Sequence, residues 1–144
     1  MLKTMPPREV FDHLAVVRFR SSCRSSAPEG KGPSGSVLGF THVSDGDIMP
    51  FIDVACNQVR RWIRPLVAGE GYPRMELLLG RALARVLAHE LYHVLAETSD
   101  HGHHGIAKPA LTAQELVQMQ LSLHDDDSRR IRDKILPEES ACGQ

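Results

Sequence analysis

The sequence predicts an α+β domain in which a small sheet packs on one long helix, with further helices toward the C-terminus. Three observations carry this. The residues up to Val54 contain short β-branched or alternating apolar runs separated by turn residues. From Asn57 the apolar spacing changes from two to three and four. One stretch, Arg74 to Glu97, then keeps helical spacing without interruption. A chain of 144 residues with 42% hydrophobic content suits a single domain, residues 1–144, with its own core.

Each element has its own signal. Leu14 to Arg20 is β-branched-rich and ends in alternation, which reads as a strand. Ser21 to Gly35 is Ser/Gly/Pro-rich and aperiodic, which reads as a mobile surface loop. Val37 to Val43 forms a second strand, Ser44 to Asp47 a turn, and Ile48 to Val54 a third strand. Pro50 within that third strand points to an edge position or a bulge. A helix from Asn57 to Ala68 places Val59, Trp62, Ile63, Leu66 and Val67 on one face, with Trp62 packed inward. Arg60, Arg61 and Arg64 then form its solvent face. Gly69 to Pro73 breaks it before the long helix, whose apolar stripe runs through Leu79, Leu83, Val86, Leu87, Leu91, Val94 and Leu95. Thr98 to Pro109 is a polar, glycine-punctuated loop. Thr112 and Glu115 have the spacing of a capping box, which opens a helix through Leu123. Asp125 to Leu136 is a last helix with acidic residues at its start and basic ones inside. Residues 137–144 are expected to fray.

Composition narrows the partners. With 17 basic and 18 acidic residues the formal charge is −1, so no global attraction to nucleic acid or membrane is expected. No run of about 18 apolar residues exists to span a bilayer. Met1 to Glu9 lacks the apolar stretch of a leader, which places the chain in the cytoplasm, or in a secreted or periplasmic location if a leader precedes this start. Cys23, Cys56 and Cys142 do not form a disulfide framework or a cysteine-type zinc site. Cys23 and Cys56 each follow a strand and so lie within possible reach of each other. A bridge between them would imply export, whereas isolated cysteines ordinarily behave as small buried hydrophobes.

The chemistry concentrates in His89-Glu90-Leu91-Tyr92-His93, an H-E-x-x-H motif within the long helix. Histidines at i and i+4 share one helical face, so both imidazoles can reach one metal ion. Glu90 can serve as general base on a metal-activated water. A catalytic zinc site takes three protein ligands, which leaves one to find. His101, in the glycine-flanked loop after the helix, is the leading candidate, with His103, His104 and Glu115 as alternatives. His42 reads as structural, and His13 and His124 carry no evident role. Asp125, Asp126 and Asp127 read as a solvated helix start, with a weak calcium contact as the other reading.

These residues resemble the zincin metalloproteases. His89-Glu90-Leu91-Tyr92-His93, then His101, then Gly105-Ile106, is most similar to the metzincin clan, whose pattern is H-E-x-x-H-x-x-G-x-x-H followed by a methionine turn. More narrowly, the stretch is similar to small uncharacterised bacterial metzincin-like proteins that read H-E-x-x-H, a seven-residue gap, His, and Gly-Ile-Met. The resemblance covers Val37 to Glu115. It implies a small twisted mixed sheet, mostly parallel with an antiparallel edge strand, above the active-site helix. It also implies one catalytic zinc ion held by His89, His93 and His101, with Glu90 as general base, and peptide-bond hydrolysis in a polypeptide substrate. The chain departs from the clan in four places. Ala96 stands where the helix-stopping glycine belongs, the third histidine comes two residues late, Ala107 replaces methionine, and Tyr92 is bulky where a small residue is common.

Two other readings compete. A three-histidine zinc endoribonuclease would use a similar ligand set, but such enzymes lack the glutamate after the first histidine, and RNA binding calls for a basic face. A non-catalytic zinc-binding domain on the same scaffold would keep the ligands without turnover. The stretch from Asp45 to Val54 reads as an ordinary sheet strand, or as an edge strand that receives extended peptide.

Overall fold

The computed structural model describes residues 13–27 and 37–136. Its elements run β1 (Val16–Arg20), β2 (Gly39–Ser44), β3 (Asp47–Ala55), α1 (Cys56–Val67), α2 (Tyr72–Leu95), α3 (Ala113–Val117) and α4 (Asp125–Ile135). This is the α+β arrangement the sequence predicts, with a small three-stranded mixed sheet and four helices. The strands and the helices α1, α2 and α4 fall within one or two residues of their expected ends. The expectations for residues 1–9, 137–144 and Cys142 lie outside the described residues. No described helix is long and apolar enough to cross a membrane.

The sheet order is β1-β3-β2, with β1 parallel and β2 antiparallel to β3. The edge reading of Ile48 to Val54 is therefore corrected: β3 is the central strand, and β2 is the outer strand. Pro50 is accommodated because the register slips around it. Thr41 pairs with Ile52 and Val43 with Ile48, so Met49, Pro50 and Phe51 lie opposite His42 alone. On the other side β1 joins only at Phe51. The missing N–H of Pro50 thus falls where no ladder bond is required, which is the bulge reading of the same residue.

Alternation along β3 gives the sheet two unlike faces. Ile52 and Val54 point into the main core with Val59, Ile63 and Val67 of α1, Leu78, Leu79, Ala82 and Val86 of α2, and Leu116 and Val117 of α3. Each such side chain contributes about 1.5–3 kcal/mol when withdrawn from water, so this layer dominates stability. Trp62 does not join it. The buried stripe of α1 is Val59, Ile63 and Val67, and Trp62 remains 43% exposed beside it.

Two further expectations change. The helix predicted from Thr112 through Leu123 has its capping box, but it ends at Val117. Arg81 and Arg85 of α2 donate to the carbonyls of Val117 and Glu115, each at 2.7 Å, and so satisfy the groups a longer helix would have used. The chain then runs on in non-helical form to a bridge between Gly105 and Leu123. Within the loop predicted to be mobile, residues 21–27 are tied down. Cys23 is bonded to Cys56 at the start of α1. Arg60 donates to the carbonyls of Ser22 and Arg24 at 2.9 and 3.3 Å, and Ser25 N–H donates to Glu76 at 2.8 Å. The remainder of that loop, residues 28–36, lies outside the described residues.

Candidate metal centre

The site sits on the C-terminal half of α2. The preceding turns of this helix are held by core residues Leu78, Leu79, Ala82 and Val86, and the next turns carry His89, Glu90 and His93. Glu90 and His93 are buried despite their polarity. Burial of such groups demands partners, and each has one.

The end of α2 supplies a partner for His93. Glu97 adopts a left-handed φ of 47°. Its N–H donates to Val94 O at 3.3 Å, and Thr98 N–H donates to His93 O at 3.1 Å. This pair of bonds is a Schellman stop. It also turns the Thr98 carbonyl back onto the helix, where it accepts from His93 Nδ1 at 2.8 Å. His89 is held from the other side, with its Nδ1 donating to Ile106 O at 2.7 Å. Ile106 is fixed in turn by its N–H on Ser122 O at 3.0 Å and by the adjoining Gly105–Leu123 bridge. Gly105 has a φ of 66°, and a Cβ there would collide with the Ser122 carbonyl.

A carbonyl only accepts, so both Nδ1 atoms carry the hydrogen, and in the neutral form of each ring Nε2 presents a bare lone pair. These two Nε2 atoms approach to 3.3 Å. Neutral rings of this tautomer cannot hydrogen-bond to each other, whereas a cation between them would be stabilised by both. His101 completes the set. Its ring stacks on His89 at a centroid distance of 5.3 Å and meets His93 edge-on at 4.8 Å. One potential ligand atom from each of the three histidines lies within 4.8 Å of the others. His101 is the exposed member of the three; partial withdrawal of its imidazole from water, reinforced by His93 and His89, lowers its pKa and so favours the neutral form that can ligate. Its loop is closed by Gly102 N–H on Ala107 O at 2.8 Å. A Cβ at Gly102 would stand 2.5 Å from the Asp127 carboxylate, so α4 packs directly on this loop.

Glu90 lies against β2. Thr41 Oγ is 2.8 Å from Glu90 Oε2 and 3.0 Å from the Glu90 carbonyl. Gly39 lets the two elements approach, since a Cβ there would meet Val86 Cγ1 at 2.8 Å and Glu90 Cγ at 3.2 Å. A cleft of about 600 Å³ opens over His89, Glu90, His93 and His101. Its lining is largely apolar and includes Leu38, Phe40, Trp62, Pro109 and Leu111.

The other candidates are occupied elsewhere or stand apart. Glu115 closes the capping box with Thr112 and accepts from Lys108 Nζ at 2.5 Å. Burial alone would raise its pKa, but these bonds outweigh that and hold it low. His103 and His104 are exposed, and His104 faces His124 with ring centroids 5.7 Å apart. His124 caps α4 by accepting from Asp126 N–H, and Asp125 to Asp127 form that helix's first turn. His42 is on the outer sheet face, bonded to Asp53 at 2.9 Å. Among the described residues, the metal-competent group is His89, His93 and His101.

A second, smaller core lies behind α2 where that helix meets the 101–107 loop and α4. Tyr92 and Ala107 are fully buried together with Ala96, and Leu123 and Ile131 pack on them. The Tyr92 hydroxyl accepts from Arg130 at 3.2 Å. Sequence reasoning missed Gly39, Thr41, Thr98 and Ile106. The last two act through backbone carbonyls, which no side-chain pattern reveals, whereas Gly39-x-Thr41 on one strand face was a readable signal. No family model matches the chain, and no curated relative or solved structure matches it, so the functional reading rests on the site's own geometry.

Proposed function

We propose that this chain is a zinc-dependent metallopeptidase, with His89, His93 and His101 as ligands and Glu90 as general base. The observation that carries the reading is the pair of Nε2 atoms held 3.3 Å apart by carbonyl-anchored rings. Two nitrogens bound to one tetrahedral zinc at about 2.0–2.1 Å lie about 3.3–3.4 Å apart, so the spacing fits that ion. The Ile106 and Thr98 carbonyls fix tautomer and ring orientation, as outer partners of metal-ligating histidines do.

Bound zinc would supply Lewis acidity, acidifying a water molecule and polarising the scissile carbonyl. Glu90 sits one residue from the first ligand, positioned to take the proton and return it to the leaving amine. The cleft supports an extended polypeptide as substrate. Its wall includes β2, an outer strand that among the described residues is bonded only to β3, so that its other edge can pair with a peptide. Among the described residues no lysine or arginine lines the cleft, which gives RNA no basic face there. The Cys23–Cys56 bridge supports an oxidising compartment rather than the cytoplasm, where thiols stay reduced.

Metal analysis of the purified protein together with a generic peptidase assay tests this. The wild type is expected to hold one zinc and to cleave peptide in a chelator-sensitive way. Glu90→Gln should keep the zinc and lose at least about 100-fold in turnover. Stoichiometric zinc without Glu90-dependent cleavage would sink the peptidase reading and leave a non-catalytic zinc domain.

A further inference from the structure

We infer that Thr41 is a positioning residue for Glu90: its hydroxyl fixes the carboxylate of the general base from the outer strand of the sheet. The inference rests on the peptidase reading for its consequence, but its geometry stands apart from it. Thr41 Oγ lies 2.8 Å from Glu90 Oε2 and 3.0 Å from the Glu90 backbone carbonyl. A threonine hydroxyl has a single hydrogen to donate. The choice between the two acceptors decides whether it merely ties strand to helix or orients the base. The carboxylate oxygen is the nearer of the two acceptors, at 2.8 against 3.0 Å. The hydrogen therefore goes to Oε2.

The surroundings are built for this contact. Gly39, two residues earlier on the same face of β2, leaves room for Glu90 Cγ, which would lie 3.2 Å from a Cβ at that position. Glu90 thus lies flat against the strand, with glycine beneath its methylene and threonine at its carboxylate. Among the described residues no hydrogen bond reaches the other oxygen, Oε1, which is left for a ligand in the cleft. A buried carboxylate with one oxygen anchored retains fewer rotamers, so less order has to be imposed when a substrate or inhibitor arrives. The residue types agree with this role. A β-branched side chain restricts χ1, which aims the hydroxyl before any ligand binds.

The test compares Thr41→Val, which keeps shape and removes the hydroxyl, with Thr41→Ser, which restores it. Acetohydroxamate serves as probe on the zinc-loaded full chain, because it chelates the metal and offers a hydrogen to the neighbouring carboxylate. Its affinity is measured by calorimetry, alongside zinc content and thermal unfolding. The valine variant should keep its zinc and bind the probe about tenfold more weakly, and serine should recover most of that loss. In a peptidase assay the same variant should lower kcat with little change in KM. Unaltered probe affinity in Thr41→Val, with or without a lower Tm, would overturn the inference and leave a strand–helix tie. So would a serine variant as weak as valine. A wild type that binds the probe but cleaves nothing would defeat the peptidase reading alone, and the probe affinities would still decide the role of Thr41.

Discussion

Glu97 is the residue at which the end of the histidine-bearing helix α2 is decided. The resemblance implied a helix-stopping glycine at position 96, where this chain has Ala96. Instead Ala96 stays helical and Glu97 takes the left-handed conformation one residue later, with both Schellman bonds formed. That single step explains part of the late third histidine, since the returning chain starts later. A side chain in this conformation is strained by about 1–2 kcal/mol, and the ion pair of Glu97 with Lys134 at 3.4 Å is exposed and offsets little. Glu97→Gly should therefore raise the unfolding free energy by about 0.5–1 kcal/mol in urea titration, after the entropy of glycine in the unfolded chain is counted. Metal affinity should not change, because the Thr98 carbonyl keeps its place under His93. A destabilised variant would mean that the carboxylate contributes more than the strain costs. Composition showed where the helix had to end, but not which residue would accept a left-handed φ.

At the scale of elements, the long helix and its histidines were legible because they obey a local period, and the sheet order was not. Pro50 marked a disturbance in β3 correctly, yet strand order depends on Leu14 to Arg20 returning beside Ile48 to Val54, and no local signal encodes that. The loop that presents His101 shows the same division. His101 itself could be picked from spacing, whereas its frame comes from residues 122 and 123, in a stretch expected to be helical. Gly105 is the hinge of that frame. With φ at 66° and the Ser122 carbonyl against its α-carbon, it allows Ile106 to bond Ser122 on one side and His89 on the other. Gly105→Ala should push the two segments apart, release the Ile106 carbonyl from His89, and weaken metal binding by about 10- to 100-fold, the usual range for a lost outer partner. Competition with a chromophoric chelator reads this directly. Binding as tight as wild type would show that His89 is oriented by the helix alone.

Across the whole molecule, two fastenings hold the sheet from opposite sides, and they respond to different conditions. On the helix side the Cys23–Cys56 bridge spans a separation of 33 residues, which is worth about 3–4 kcal/mol in restricted unfolded states. Reduction should lower Tm markedly while leaving the three-histidine cluster in place, since neither cysteine belongs to it. On the outer side, Asp53 of the central strand gathers all three strands. It accepts from Arg18 at 2.5 and 3.0 Å, from Arg20 at 3.3 and 3.4 Å, and is 2.9 Å from His42 Nε2. These partners lie 11 to 35 residues away in sequence, so nothing near Asp53 announced its role. The Arg18 bond holds its carboxyl well below the ordinary range, against the opposing effect of burial and with help from His42 and Arg20. A carboxylate whose pKa is lower folded than unfolded stabilises the fold above the unfolded value of about 3.9 and loses that contribution as pH falls below it. Asp53→Asn should thus cost about 1–3 kcal/mol at pH 7. The gap to wild type should stay constant down to about pH 4 and narrow below it, as the wild-type carboxylate begins to protonate. Urea unfolding of both proteins at pH 7, 5, 4 and 3 measures the gap. A gap unchanged at pH 3 would assign the loss to packing rather than charge, and no gap at pH 7 would mean that the arginines and His42 hold the strands no better than an amide does.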